Sequence, residues 1–328
     1  MKRIYFILIL LALVTFWYFV FYSREHPQKI TPVPAVSDLR LYVQSEDRRS
    51  GIIDAIREAK REVLIETYLI SDKQVIDALE EAHRKGVAVN VIIECHPFGG
   101  GNINKKVIEE FKLRKINNKC ASDKYSLTHE KAIVIDEEKA FVMTQNLTLS
   151  SFEKNREYVI EDRDKKDVDE IRKIFLSDWE EKAFVPTLTN IIESPNNARA
   201  GITSLIESAK NEIDIEMEVI DDIQIINLLK AKARNMKINL ILPTVKQIGA
   251  NKNEMEELRA SGVNVRTMGE PYMHAKMILV DLSTAFIGSV NLTSASIDEN
   301  RELGIILSQQ DVVGGLSGTF LTDWERAN

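Results

Sequence analysis

The sequence predicts a two-lobed α/β protein carried behind one N-terminal transmembrane helix, and three observations lead to that reading. Strand-like and helix-like stretches alternate, the polar signature of the first half returns in the second, and the chain opens on a long apolar run. With 328 residues there is room for two domains of ordinary size, each with its own core. The 44% hydrophobic and 28% charged residues exclude disordered, collagen-like and disulfide-dense miniprotein classes. A net charge of -7 excludes a surface built to coat nucleic acid, although a local basic patch stays open.

From Ile4 to Tyr22 the chain runs for 19 residues with Thr15 as the only clearly polar side chain. A helix of that length spans roughly 28 Å, the thickness of a bilayer core. The residues after it, Phe21 to Glu25, offer no small-x-small cleavage pattern, so residues 4–22 read as an uncleaved signal anchor. Lys2 and Arg3 favour an inside N-terminus over Arg24 and Lys29. The protein is then single-pass, with its body on the extracytoplasmic side. Residues 23–37, with Pro27, Pro32 and Pro34, form an extended linker. The first lobe is set at 38–184 and the second at 185–328.

Within the first lobe Ile52, Ile53, Ile56 and Ala59 have helical spacing, while Val63 to Ile70, Val87 to Ile93 and Ala132 to Ile135 read as strands. Asp72 is positioned to cap a helix with Val75, Ile76, Leu79 and Ala82 on its apolar face and Gly86 as its stop. Strands over 213–220, 237–243 and 275–280 mirror these in the second lobe. Alternation of this kind implies sheets covered by helices.

The repeat is exact enough to index. Gly51-Ile52, Ala59-Lys60, Glu62, Ile65-Glu66 and Asp72 return 150 residues later. His129, Lys131, Asp136, Asn146-Leu147-Thr148 and Asn155-Arg156-Glu157 return 145 residues later, as does Asp178-Trp179-Glu180 at Asp323-Trp324-Glu325. A unit of this size is a lobe with its own core and not a solenoid turn.

Each lobe thus carries His-x-Lys-x4-Asp, an Asn ten residues after the Asp, and a Glu 28 residues after the His. In extended chain His129 and Lys131 share one face, as do His274 and Lys276. Imidazole, ammonium and amide on one surface suit a tetrahedral oxyanion. Lys131, Lys276, Asn146 and Asn291 donate to its oxygens, while a His attacks phosphorus or protonates the leaving oxygen. Glu157 and Glu302 can hold the far ring nitrogen of a His.

This pattern resembles the phospholipase D superfamily, whose signature is a duplicated His-x-Lys-x4-Asp followed by Gly-Ser-x-Asn. The second copy is complete through Gly288-Ser289-Val290-Asn291, and the first carries Met143 and Thr144 in place of Gly and Ser. The resemblance spans residues 38 to 326. It implies two pseudo-twofold-related lobes, each a mixed sheet flanked by helices, with one shared active site. It also implies a monomer with an internal pseudo-dimer, a phosphohistidine intermediate, and no metal or other cofactor. It tilts the nucleophile to His129 and the general acid to His274, and it gives Asp136, Asp281 and Ser289 supporting roles. A membrane-anchored enzyme acting on phospholipid, by hydrolysis or by transfer to an alcohol, is the leading expectation. The alternatives are a nuclease of the same superfamily and a non-catalytic lipid- or nucleic-acid-binding relative.

Other features are read more plainly. His83 lies on the polar side of a helix and His26 in the linker. His96 precedes Pro97-Phe98-Gly99-Gly100-Gly101, a solvated turn or an edge of the site; without a following Gly-Lys-Ser/Thr it is not a nucleotide loop. The sequons at Asn146 and Asn291 are read as active-site residues. Cys95 and Cys120 read as separate thiols, since nothing in the sequence places them close. Residues 105–124 hold seven basic side chains against Glu109, Glu110 and Asp123, either a solvated face or a guide for an anionic headgroup or strand.

Overall fold

Each half of the chain builds one seven-stranded sheet, and the two sheets have the same strand order. The first runs Asn117–Cys120, Ala88–Ile93, Glu62–Thr67, Lys131–Ile135, Lys139–Met143, Val159–Asp162, Arg40–Tyr42. The second runs Asn264–Met268, Lys237–Pro243, Glu212–Met217, Lys276–Val280, Thr284–Gly288, Glu302–Leu307, Ile191–Ser194. In both, the first three strands are parallel and the remainder antiparallel, which makes the sheets mixed. This computed structural model describes residues 39–98 and 102–328. The anchor read at 4–22, the linker at 23–37 and the glycines at 99–101 lie outside the described residues. Among the described residues no helix is long and apolar enough to cross a membrane.

Among the described residues three apolar cores hold the layers together. Two are private to the lobes, where each sheet is covered on its outer face by helices such as Lys73–Arg84 and Ile223–Lys232. The third lies between the sheets and takes side chains from both, together with the helices Lys165–Glu180 and Gln310–Arg326. Val134, Val142, Ile160, Met277, Ile287 and Ile305 are buried there. Because the strands facing this layer are apolar on both faces, they read as continuous runs rather than as alternation. Asp72 and Asp222 cap equivalent helices, each accepting two backbone N–H groups, and Gly86 takes a φ of 91° just past Arg84.

The strands expected over 63–70 and 213–220 stop at Thr67 and Met217. Beyond those points the chain leaves the sheet to pair Ile70 with Leu147 and Ile220 with Leu292. Tyr68 and Glu218 are thereby turned out at the sheet ends.

The reading of Cys95 and Cys120 as separate thiols is corrected: they form a disulfide with a Cα–Cα distance of 5.3 Å. The cause is strand register. Ala88–Ile93 and Asn117–Cys120 are parallel neighbours with Ile93 opposite Cys120, which brings Cys95, just past its strand end, beside its partner. Parallel pairing joins residues far apart in sequence through a connecting helix, here Ile103–Arg114.

Candidate active site

The two lobes meet along a pair of reciprocal backbone contacts. His129 N–H donates to the Arg301 carbonyl at 2.8 Å, and His274 N–H donates to the Arg156 carbonyl at 3.3 Å. Each arginine precedes the motif glutamate, so the next side chain in each case reaches the same histidine. Glu302 lies 2.9 Å from His129 Nδ1 and Glu157 lies 2.8 Å from His274 Nδ1. Both His129 and His274 are therefore held by the opposite lobe. With Nδ1 of each ring facing a carboxylate, Nε2 is the nitrogen turned away from it.

Burial pushes the His129 imidazole below its ordinary value, outweighing the Glu302 carboxylate that raises it. That shift favours the neutral ring, in which Nε2 carries a lone pair. Glu302 and Glu157 are raised by burial, but the charges beside them, His129 and Lys131 for the first, His274 and Lys276 for the second, hold both below the usual carboxylate range. Thr144, at the position of Ser289 in the repeat, donates its hydroxyl to Glu157 at 2.6 Å. Ser289 Oγ donates to the Leu303 carbonyl and accepts Leu303 N–H, fixing the strand that carries Glu302. In the second lobe a Cβ on Gly288 would collide with the Gly304 backbone, whereas the first lobe fills the same register with Met143 and Val159.

The two lysines converge on the same space. Lys131 Nζ donates to the His129 carbonyl at 2.7 Å and sits 5.3 Å from the Tyr68 ring centroid. Burial pushes it down to about 7 despite the opposing charge of Glu302. Lys276 Nζ donates to the His274 carbonyl at 2.8 Å and to Glu218 at 2.7 Å. Lys131 feels the charges of Glu302, Lys276 and Glu218 from the other half, so the two motif sets form one site. Asn146 is buried and its Oδ1 finds no partner among the described residues, while Asn291 Oδ1 accepts Val219 N–H at 3.3 Å. At 7% and 8% exposure neither asparagine is open to glycan attachment.

Asp136 and Asp281 stand at the opposite strand ends from the lysines. Each collects three backbone N–H groups, from Lys60, Arg61 and Glu62, or from Lys210, Asn211 and Glu212. They tie the helix-to-strand turn to the sheet and do not touch the site. His96 is exposed, and its backbone N–H donates to Glu94, whose other oxygen accepts Thr128 N–H at 2.9 Å. In the basic window Arg114 is occupied by Asp77, Glu80 and Glu110, and Lys119 by Glu181.

Sequence reasoning missed Tyr68, Tyr272 and Glu218, all of which border the histidines. It also gave no role to the arginines of Asn-Arg-Glu or to the repeated Asp-Trp-Glu. These pair across the lobes: Arg156 with Asp323, and Arg301 with Asp178. Glu66, Glu130 and Asp178 offer oxygens within 4.8 Å of one another, but the Arg301 guanidinium lies among them and supplies the positive charge there.

A profile of the family described as "Cardiolipin synthase, PLD-like domain" matches residues 52–179 and 202–324. Cardiolipin synthase 2 of Staphylococcus epidermidis is 22% identical over 89% of this chain and 69% of its own length. Cardiolipin synthase of Alkalihalophilus pseudofirmus is 24% identical over 94% of this chain and 70% of its own. The fold resembles phosphatidylserine synthase of Haemophilus influenzae with a TM-score of 0.69 at 12% identity, covering 88% of this chain and 86% of that one.

Proposed function

The chain belongs to the phospholipase D superfamily, and from that premise we propose that it is a membrane-anchored phosphatidyltransferase that works through a covalent phosphohistidine. The observation that carries the mechanism is the crossed pair of histidine–glutamate contacts beside two lysines. His129 Nε2 attacks phosphorus as the bond from phosphorus to the headgroup oxygen breaks. His274 gives its Nε2 proton to that oxygen, and the headgroup departs as an alcohol. An incoming alcohol or water then returns a proton to His274 as its oxygen bonds phosphorus and the phosphorus–nitrogen bond breaks. Lys131, Lys276, Asn146 and Asn291 hold the non-bridging oxygens, where charge accumulates. Glu302 stabilises the ring cation of the phosphohistidine, and Glu157 that of the protonated acid.

Membership of the cardiolipin synthase-like group and likeness to lipid-transferring relatives support a phospholipid substrate. The apolar run at residues 4–22 supports tethering, which would keep the site at a bilayer surface. The test is the full-length protein in phosphatidylglycerol vesicles, with single-stranded DNA offered in parallel and EDTA in one arm. Headgroup release or exchange with intact DNA, unaffected by the chelator, is expected. Rapid DNA degradation with intact lipid overturns the lipid reading, and loss of turnover in EDTA restored by a divalent ion overturns the mechanism.

A further inference from the structure

The site is not symmetrical. Glu218 stands where the repeat places Tyr68 in the first lobe, 150 residues apart. Tyr68 turns its hydroxyl to the Phe98 carbonyl at 2.9 Å and presents its ring to His129, with ring centroids 4.8 Å apart. Glu218 instead brings a carboxylate to the second histidine. It accepts from Lys276 Nζ at 2.7 Å and from the Tyr272 hydroxyl at 2.9 Å, and lies 3.4 Å from His274 Nε2.

A carboxylate beside a phosphodiester anion costs binding energy unless it does something for the substrate. Burial pushes Glu218 up, but His274 and Lys276 outweigh it and hold the group well below the usual carboxylate range. It is a fixed negative charge. Lys276 carries three N–H donors, of which the His274 carbonyl and Glu218 take one each; His274 Nδ1, 3.4 Å away, turns its own N–H to Glu157, so the third is left for a phosphate oxygen. Glu218 therefore need not leave when the substrate enters. It then stands next to whichever oxygen meets His274 Nε2, on the alcohol side of the scissile bond.

We propose that Glu218 is a specificity-determining residue that selects a polyol, accepting a hydrogen bond from a hydroxyl on the carbon adjacent to the one that bears the reacting oxygen. The inference rests on the transferase reading. In the second half-reaction one acceptor hydroxyl gives its proton to His274 and bonds phosphorus, the phosphorus–nitrogen bond to His129 breaks, and the neighbouring hydroxyl stays donated to Glu218. Glycerol has that neighbouring hydroxyl and 1-propanol does not.

The experiment uses the full-length chain in mixed detergent micelles with phosphatidyl-p-nitrophenol as donor and equimolar glycerol and 1-propanol as competing acceptors. Nitrophenolate release reports the first half-reaction, and the ratio of phosphatidylglycerol to phosphatidylpropanol reports partition of one intermediate. Wild type is expected to favour glycerol by about tenfold or more, the scale of a hydrogen bond to a charged group. Glu218→Gln, Glu218→Ala and Glu218→Asp should bring the ratio towards one, read from whichever variants release nitrophenolate. A wild-type ratio near one, or an unchanged ratio in a variant that still releases nitrophenolate, overturns the role of Glu218. Absence of nitrophenolate from the wild type overturns the transferase reading itself.

Discussion

Glu302 of the C-terminal lobe holds His129 of the N-terminal lobe, Oε2 to Nδ1 at 2.9 Å, and reaches it because Arg301, the residue before it, accepts the His129 backbone N–H. Backbone docking and side-chain orientation are thus one event. A lobe that separated from its partner would lose the orientation of both histidines together. The duplication lets each lobe hold the other's histidine.

Replacing Glu302 or Glu157 with Gln should lower kcat by about 10²- to 10⁴-fold, the range seen when the orienting group of such a dyad loses its charge. Affinity for tungstate, a tetrahedral oxyanion held by the lysines, should change little. Steady-state kinetics with tungstate competition checks this. A variant that loses oxyanion binding as much as turnover would show that the glutamates hold the fold and not the ring.

The histidines should respond differently to the leaving group. General acid catalysis supplies about 10²- to 10⁴-fold where the leaving group is poor, while the nucleophile is needed for every substrate. With a nitrophenolate diester, His274→Ala should still form a covalent adduct on His129, and His129→Ala should form none. Mass spectrometry of the quenched enzyme reads this directly. An adduct on His274 in the wild type would reverse the roles.

Lys131 gives the site a pH dependence with a definite sign. Burial lowers its ammonium to about 7, so it is charged below that pH and neutral above it. Tungstate, whose own charge does not change in this range, should bind well on the acid side and more weakly as pH rises through about 7. In Lys131→Met the affinity should be low throughout and that limb should disappear. A limb that persists in Lys131→Met would assign it to another group.

Much of this site was legible because its chemistry travels with fixed spacing. His129, Lys131, Asn146 and Glu157, with their repeats, could be picked out by count alone. Sequence could not say that Glu157 serves His274 and Glu302 serves His129, because that exchange depends on how the lobes dock. Glu218 was hidden for a simpler reason. It was read as the tail of a strand over 213–220, and the strand ends at Met217. Superposing the repeat would have exposed it, since a charged residue there faces Tyr68 in the other copy. Fold class followed from alternation, but the pairing of Cys95 with Cys120 needed the register of two parallel strands.

That disulfide closes a loop with a sequence separation of 25. Loop-closure entropy puts its contribution at about 3 to 4 kcal/mol. Cys95→Ser/Cys120→Ser, or the wild type after reduction, should show a lower Tm and a lower urea midpoint by a matching amount. An unchanged midpoint would mean that the helix Ile103–Arg114 and its strands hold the loop closed without it.

The repeated Asp-Trp-Glu finds its purpose in the lobe interface, and a mutant cycle can measure it. Arg156 donates to Asp323 through two nitrogens, the Nη2–Oδ1 contact being 2.8 Å, and the Asp323 side chain is fully buried. Glu216 lies close by, pushed up to about 8 by burial first and Asp323 next, and accepts the Tyr158 hydroxyl at 2.7 Å. The ion pair of the clasp is Arg156 with Asp323. Breaking it from one side leaves an uncompensated carboxylate, so Arg156→Met should cost about 3 to 5 kcal/mol. Removing both charges leaves none to strand, so Arg156→Met/Asp323→Leu should regain most of that loss in urea unfolding. Because Arg156 also offers its carbonyl to His274 and precedes Glu157, the single variant should lose turnover as well, and the double variant should recover part of it. If the two single losses simply add in the double variant, the pair is not coupled and this ion pair does not hold the lobes together.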